Sequence, residues 1–261
     1  MVRPYLANTP VALAHRGGAL YGPNVGLENT LTAFRNAVRL GYTHLETDVH
    51  VSRDGHLIAF HDERLDRVTD GHGALAELAW GEIREARFPS GERVPLLTEV
   101  LEALPGARLN VDLKSPGTAG PLWRLIEERG LHDDLCVGSF SQREITEFRR
   151  RSKGRVATAA SQAGTALAAL GPGWLSRLVH TPADVFQVPT TAAVAGRTVT
   201  LVTRGFIAAA HALGKQVHVW TVDDRDEMHR LLDLGVDGLV SDRIDVLKEV
   251  LDARGQWTGR A

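Results

Sequence analysis

The chain has 261 residues, of which 43% are hydrophobic and 24% charged, so it can bury a full core and is not a disordered protein. A formal net charge of −2 without a basic block argues against nucleic acid as the main partner. The single cysteine, Cys136, lies in an apolar run, and one cysteine excludes a disulfide framework and a thiolate metal site.

The first predicted elements are a buried strand over residues 10–15 and a helix over residues 28–40. The strand is a short apolar run that ends at His15, at the start of a glycine-rich loop. The helix opens at Glu28, with Asn29 or Thr30 as its N-cap, and carries an apolar stripe that would pack on the core.

A predicted β-hairpin follows, with an Asp-Gly pair at residues 54–55 as its turn. Before the turn, apolar and polar residues alternate with the period of a strand that has two different faces. A two-residue loop at the turn would pair Asp48 with His61. Glu46 lies two residues before Asp48 on the same face, so the hairpin predicts two carboxylates and a histidine side by side.

The rest of the chain alternates between helices and strands, after a charged segment over residues 63–95 that resembles an insertion. The helices are predicted at residues 96–104, 121–129, 142–151, 164–178, 203–213, 226–234 and 244–252. The strands are predicted at residues 107–114, 135–140, 155–160, 184–188, 216–222 and 236–242.

Eight strands result if the return arm of the hairpin is counted as an extension of the second strand. Continuous alternation of strand and helix at this length predicts an α/β fold, a single (β/α)8 TIM barrel over residues 1–261. An open doubly wound sheet is the alternative. It is disfavoured because no glycine-rich phosphate loop leads from the first strand into a helix.

Polar residues at the strand ends are expected to meet in one cavity, because the carboxyl ends of barrel strands share one mouth. His15 and Arg16 follow the first strand. Asp112 and Lys114 lie two residues apart on the third strand and therefore point to the same side. With the hairpin residues, the mouth receives three carboxylates, two histidines and two cations.

This set of side chains predicts metal-assisted cleavage of a phosphate ester. The carboxylates of Glu46, Asp48 and Asp112 would repel one another, and a divalent cation would relieve that repulsion. All-oxygen ligation favours Mg²⁺ or Ca²⁺. Arg16 and Lys114 indicate an anion beside the metal, for which phosphate is the best match. The two histidines would then act as general base and general acid.

Several of these residues also have structural explanations. Arg16 and Lys114 could balance the acids in an ion-pair network, and Trp220 could be a barrel-core aromatic rather than a contact of the substrate's carbon skeleton. Three aspartates are expected to form turns or hydrogen bonds rather than to bind metal: Asp54, Asp62 and Asp242. The alternative functions are an enolase-type barrel with Lys114 as base and a non-catalytic barrel that binds phosphorylated ligands.

The sequence resembles the glycerophosphodiester phosphodiesterase family. The family's motifs occur in order along nearly the whole chain as His15-Arg16-Gly17, Glu28-Asn29-Thr30, Glu46-x-Asp48, Asp54-Gly55, His61-Asp62, and residues 110–114, 139–140, 219–222 and 235–242. Each piece is short, but the ordered set is highly specific.

The resemblance implies a TIM barrel with a small insertion after His61-Asp62, and it assigns roles to residues of this chain. It implies a divalent cation, Mg²⁺ or Ca²⁺, on Glu46, Asp48 and Asp112, and an acid–base pair formed by His15 and His61. It also implies phosphate contacts from Arg16 and Lys114. From its position near the mouth, Trp220 is a further candidate for substrate contact, and Glu28 and Asn29 are candidates for support behind the site.

The implied reaction is hydrolysis of glycerophosphodiesters to glycerol 3-phosphate and an alcohol. The glycerol 2-hydroxyl would attack phosphorus, and water would open the resulting cyclic phosphate. Asp112 departs from the family pattern, which usually has glutamate there, and Leu27 replaces the usual proline. Sphingomyelinase D-like enzymes also have aspartate at the third ligand position, so a reaction that ends at the cyclic phosphate is the alternative.

The expected partner is a small-molecule phosphodiester, without nucleic acid. No apolar stretch approaches the length of a membrane span. The N-terminal residues lack the long apolar core of a signal peptide, so the expected location is the cytoplasm.

Overall fold

The barrel is built from parallel β-strands. The computed structural model describes residues 3–161, 181–194 and 196–260. The strands are β1 Val11–Ala14, β2 His44–Val51, β3 Leu57–Ala59, β4 Arg108–Leu113, β5 Leu135–Gly138, β6 Ala157–Thr158, β7 Val185–Pro189, β8 Thr191–Val194, β9 Arg197–Thr200, β10 Gln216–Trp220 and β11 Gly238–Ser241. Eight of them pair in the order β6-β5-β4-β2-β1-β11-β10-β7.

A bridge between Ala159 and Val185 joins the two ends of this sheet, so the eight parallel strands close into a barrel. The TIM-barrel prediction is confirmed. The doubly wound alternative is wrong, because β1 pairs with the second strand on one side and with the last on the other.

Apart from one short helix in the insertion, the helices pack around the barrel strands. They are α1 Leu31–Arg39, α2 Trp80–Ile83, α3 Leu97–Ala103, α4 Ala119–Arg129, α5 Gln142–Ser152, α6 Arg204–Ala212, α7 Arg225–Leu234 and α8 Ile244–Ala253. The predicted helices and barrel strands agree with these bounds within a few residues, and the helix predicted over 164–178 lies outside the described residues. Of the helices in the described ranges, none is long and apolar enough to cross a membrane.

The main core lies between the helices and the outer face of the strands. In β2 the odd-numbered Leu45 and Val49 are fully buried and pack with Phe34 of α1 in this core. The even-numbered Glu46 and Asp48 point to the interior side and line a cavity instead. The alternation in the sequence therefore separates the packing face from the chemical face.

The hairpin is present, but its predicted register is wrong by one residue. Val51 pairs with Leu57, and the backbone N–H of Phe60 donates to the carbonyl of Asp48 at 2.9 Å. Asp48 is therefore opposite Phe60 and not His61. The loop closes between Ser52 and His56, so it contains three residues rather than two.

Both faces of β3 are buried, which explains the register error. Leu57 and Ala59 pack in the main core, whereas Ile58 and Phe60 pack in a second cluster with the side chains of the insertion. The prediction assumed one apolar face, and this assumption favoured the two-residue loop.

The segment over residues 63–95 forms a small layer with its own apolar core. Leu65, Leu75, Ile83 and Phe88 are buried against the outer face of β3. Two short 3-10 helices, Leu65–Arg67 and Leu75–Glu77, precede α2 in this layer. The layer thus stands on the hairpin beside the mouth of the barrel.

A second antiparallel hairpin, β8–β9, was not predicted. It pairs Thr191 with Thr200 directly after β7, the sixth barrel strand in chain order. Thr191, Ala192 and Ala193 line the cavity at the barrel mouth, so this hairpin forms part of its wall.

Candidate active site

A cavity of about 640 Å³ lies at the carboxyl ends of the barrel strands. Every residue predicted to act on metal, substrate or protons lines it: His15, Arg16, Glu46, Asp48, His61, Asp112, Lys114 and Trp220. Its size is that of an ordinary small-ligand site. The structure therefore places these predicted side chains in one cavity, as expected for residues at the strand ends.

The turn after β1 places Arg16 by a close backbone approach. Arg16 has φ +49° and Gly17 has φ +86°, in the left-handed region. A Cβ on Gly17 would lie 2.8 Å from Cβ of Ala33 in α1, so only glycine fits there. The backbone N–H of Arg16 donates to Oε2 of Glu46 at 3.1 Å, which joins the turn to the second strand.

Asn29 forms a hydrogen bond with a carboxylate of the site and does not cap the helix. Its Nδ2 donates to Oδ2 of Asp48 at 3.1 Å, and its Oδ1 accepts from the Thr47 hydroxyl at 2.7 Å. Thr30 is the N-cap of α1, since its hydroxyl accepts from the backbone N–H of Ala33. Of the two predicted capping residues, Thr30 is therefore the cap and Asn29 supports a carboxylate.

Two cations contact the buried carboxylates. Nζ of Lys114 lies 2.9 Å from Oδ1 of Asp48 and 2.7 Å from Oδ2 of Asp112. Nε of Arg16 lies 3.2 Å from Oδ2 of Asp48 but without hydrogen-bond alignment, and Nη1 donates to Glu28 at 3.2 Å. The Lys114 ammonium thus separates two carboxylates that would otherwise face each other.

The carboxyl groups have different proton affinities. Burial and the charge of Asp48 raise the pKa of Glu46 to about 7. Burial also raises the pKa of Asp112, although Lys114 opposes that effect. Burial acts in the same direction on Asp48, but Lys114 and Arg16 outweigh it and lower the pKa of that carboxyl. The positive charges in the cavity therefore stabilise the ionised form of Asp48 more than that of Glu46.

The donor set fits a hard divalent cation. The carboxylates of Glu46, Asp48 and Asp112 offer oxygen ligands only, as Mg²⁺ and Ca²⁺ prefer, and a cation would relieve the repulsion that raises the pKa of Glu46. Across residues 3–161, 181–194 and 196–260, no group of three or more His, Cys, Asp or Glu side chains is arranged as a preformed metal site. Lys114 lies between two of the three carboxylates, so its side chain has to move if both are to bind a cation.

Each of the two cavity histidines is held by an aspartate. Nδ1 of His15 lies 2.9 Å from Oδ1 of Asp242, and Nδ1 of His61 lies 2.6 Å from Oδ1 of Asp62. An ionised carboxylate only accepts hydrogen bonds, so Nδ1 of each ring carries a proton and Nε2 is left for chemistry. Asp62 and Asp242 are therefore hydrogen-bonding residues, as predicted.

The surroundings of His15 favour its charged form. Burial acts to lower the pKa of this imidazole, but the charge of Glu46 and the hydrogen bond to Asp242 outweigh burial and raise it. Nε2 of His15 lies 3.8 Å from Oε2 of Glu46. His15 is thus adjacent to a predicted metal ligand.

An apolar wall lies beside the charged side chains of the cavity. The ring of Phe140 is half exposed and packs edge-on against Trp220, with 5.8 Å between ring centroids. Nζ of Lys114 lies 5.5 Å from the centroid of Phe140. Such a wall can hold the carbon skeleton of a substrate while the opposite side binds its charge.

Sequence reasoning missed Gln187 and Arg67. Nε2 of Gln187 donates to Oδ1 of Asn110 at 2.8 Å across the interior of the barrel, and both residues line the cavity. A polar residue inside the apolar run of β7 was an available signal for Gln187. Arg67 belongs to the insertion and had no such signal, but it contacts both Glu28 and Asp62.

Comparisons with known proteins agree on one family. The profile of the "Glycerophosphoryl diester phosphodiesterase family" matches residues 15–246. "Probable glycerophosphodiester phosphodiesterase 2" of Mycobacterium tuberculosis is 38% identical over 258 residues, which cover 95% of this chain and 93% of that protein.

Solved structures show the same fold. A glycerophosphodiester phosphodiesterase from Agrobacterium tumefaciens has a TM-score of 0.74 at 25% identity, covering 92% of this chain and 99% of that one. An Oleispira antarctica phosphodiesterase in complex with the product sn-glycerol-3-phosphate has a TM-score of 0.75 at 24% identity, covering 94% and 97%. The chain therefore belongs to the glycerophosphoryl diester phosphodiesterase family, the class of enzyme that its motifs predicted.

Proposed function

We propose that this cavity hydrolyses glycerophosphodiesters to glycerol 3-phosphate and an alcohol, with a divalent cation and two histidines. The observation that carries the proposal is the pair of histidines, each with Nδ1 fixed by an aspartate, beside three carboxylates in one cavity. A non-catalytic phosphate-binding protein would not need two imidazoles with free Nε2 atoms.

Arg16 and Lys114 are the proposed phosphate ligands. Both side chains are about one-fifth exposed and lie at the cavity surface, so their N–H groups can reach a bound anion. Lys114 would exchange its contact with Asp48 or Asp112 for a phosphate oxygen when substrate arrives. Phe140 and Trp220 would then contact the carbon skeleton.

The histidines would move two protons in each of two steps. In the first, one imidazole takes the proton of the glycerol 2-hydroxyl as its oxygen bonds to phosphorus, and the other donates a proton to the departing alkoxide. In the second, water opens the cyclic phosphate and the two imidazoles exchange roles. Both rings thereby return to their starting protonation states.

The proposed ligands of the cation are Glu46, Asp48 and Asp112. When bound, the cation would neutralise charge on the phosphoryl oxygens as it develops. Asn29 would keep Asp48 oriented through its bond to Oδ2, and the backbone N–H of Arg16 would do the same for Glu46.

The test is turnover of a panel of glycerophosphodiesters, with ³¹P NMR used to identify glycerol 3-phosphate and any cyclic phosphate. His61→Ala should lower kcat by about 10²–10⁴-fold with an unchanged melting temperature. His72→Ala is the control, because His72 lies in the insertion, is highly exposed and does not line the cavity. Full activity of His61→Ala would refute the two-histidine mechanism, and accumulation of cyclic phosphate as final product would favour the sphingomyelinase D-like reaction.

A further inference from the structure

Arg67 joins two carboxylates at the edge of the cavity. It ends the short 3-10 helix Leu65–Arg67 of the insertion. Its guanidinium donates to both oxygens of Asp62, at 2.5 Å from Nε and 3.0 Å from Nη2. It also donates to both oxygens of Glu28, at 2.6 Å from Nη2 and 3.1 Å from Nη1. One planar side chain thus fixes two carboxylates at once.

Asp62 transmits the position of Arg67 to His61. Oδ1 of Asp62 accepts from Nδ1 of His61 at 2.6 Å and from Nη2 of Arg67 at 3.0 Å. Because Arg67 also holds Oδ2, the carboxylate cannot turn about its own axis without losing a contact. Asp62 thus links the imidazole ring to Arg67, which is not among the residues that line the cavity described above.

Glu28 connects the same guanidinium to the other side of the site. Oε1 of Glu28 accepts from Nη1 of Arg16 at 3.2 Å, and Nε of Arg16 lies 3.2 Å from Oδ2 of Asp48. The path from Asp48 through Arg16, Glu28, Arg67 and Asp62 ends at His61. Arg67 can therefore influence the groups in the cavity through two sets of contacts, one through Asp62 to His61 and one through Glu28 to Arg16.

We propose that Arg67 is a positioning residue that holds Asp62, and through it the ring of His61, in the orientation needed for proton transfer. The proposal rests on the function proposed above. The route through Asp62 is favoured over the route through Glu28, because Arg16 keeps its own contact with Asp48 and its backbone bond to Glu46 if Glu28 moves. The insertion then holds the Arg67 guanidinium in place, because Leu65 of the same 3-10 helix is buried in the apolar cluster of the insertion.

The contribution of Arg67 to folding should be small. Its side chain is 49% exposed, and exposed ion pairs add about 0–1 kcal/mol to stability. Loss of Arg67 should therefore separate an effect on catalysis from an effect on folding. Arg84 is a matched control, because it lies in the same layer, is also 49% exposed and pairs only loosely with Glu85 at 3.8 Å.

The experiment compares Arg67→Met with Arg84→Met in wild-type and His61→Ala backgrounds. We expect Arg67→Met to lower kcat by about 10–100-fold, with KM changed by less than about threefold, while Arg84→Met remains as active as wild type. In the His61→Ala background, Arg67→Met should cost nothing more, because the ring it positions is absent.

A second measurement does not depend on turnover. ¹⁵N NMR of the His61 ring should show Nδ1 protonated in wild type and a mixture of tautomers in Arg67→Met. If Arg67→Met does not fold, Arg67→Lys replaces it. Lysine keeps the charge but cannot hold both carboxylates. We therefore expect a smaller decrease in kcat and a smaller change in the tautomers of the His61 ring.

Three results would overturn the proposal. One is an unchanged kcat in Arg67→Met, and another is an equal loss in the presence and absence of His61. The third is a rise in KM at constant kcat, which would assign Arg67 to the Glu28 and Arg16 route. Absence of any turnover by the wild-type protein would instead overturn the proposed function, and the NMR measurement would still decide whether Arg67 orients His61.

Discussion

The barrel contains two buried histidines, His44 at the start of β2 and His218 in the middle of β10, which should make the fold sensitive to acid. His44 is 3% exposed and donates from Nε2 to the carbonyl of Tyr5 at 3.1 Å. His218 is fully buried and donates from Nε2 to Gln216 at 3.1 Å. Burial lowers the pKa of His44 to about 4 and that of His218 to about 3.

The direction of the change in stability with pH follows from proton uptake by the unfolded chain. Below the ordinary histidine pKa of 6.5 the unfolded chain binds protons that the folded barrel refuses, so the free energy of unfolding falls as pH decreases from about 6.5 towards 4. Each pH unit is worth about 1.4 kcal/mol per histidine. At pH 5.0, which is about 1.5 units below the unfolded pKa, each residue should therefore cost about 2 kcal/mol.

The assay is urea unfolding at pH 7.5 and pH 5.0 for wild type, His44→Gln and His218→Gln. Comparison between variants is required, because the raised pKa of Glu46 gives wild type an opposite gain in stability as pH falls below about 7. Between the two pH values, wild type should lose about 2 kcal/mol more than either variant. Identical losses in all three proteins would show that burial does not hold these two histidines neutral in the folded barrel.

Three further substitutions test local geometry. Gly17→Ala should lower the free energy of unfolding by about 1–3 kcal/mol and impair turnover, because the new Cβ would lie 2.8 Å from that of Ala33; unchanged urea midpoint and kcat would contradict this. Gly55→Val should lower the free energy of unfolding by about 1–2 kcal/mol, because valine is strained at the φ of +88° found there, and it should also reduce activity. An unchanged melting curve together with full kcat would contradict this. Lys114→Met should tighten binding of Mg²⁺ or Ca²⁺ at least about tenfold by calorimetry, because an ammonium between Asp48 and Asp112 is removed; unchanged affinity would show that Lys114 does not compete with the cation.

The barrel and its cavity were predictable because their signals are local. Apolar runs and amphipathic helices alternate along the chain, and residues such as His15 and Asp112 lie at predictable strand ends. The convergence of the strand ends then follows from the geometry of parallel barrels. No further information was needed to bring the predicted side chains to one mouth.

The remaining features depend on contacts between distant parts of the chain. His15 and Asp242 are 227 positions apart, and Glu28 and Arg67 are 39 apart, so neither pairing has a local pattern. The Asp-Gly turn is compatible with loops of two or three residues, and burial of Phe60 against the insertion decides between them. The β8–β9 hairpin escaped prediction because β8 is a run of small residues, Thr-Ala-Ala-Val, that does not alternate between apolar and polar.

We propose that Glu46, Asp48 and Asp112 hold a divalent cation that is needed for cleavage of glycerophosphodiesters in this cavity. The most direct measurement is release of glycerol 3-phosphate from glycerophosphocholine by protein stripped with EDTA, before and after addition of Mg²⁺ or Ca²⁺. We predict that stripping leaves less than about 1% of the turnover, that added cation restores it, and that Asp112→Asn is not restored. Full turnover after exhaustive chelation would show that cleavage needs no cation on these carboxylates.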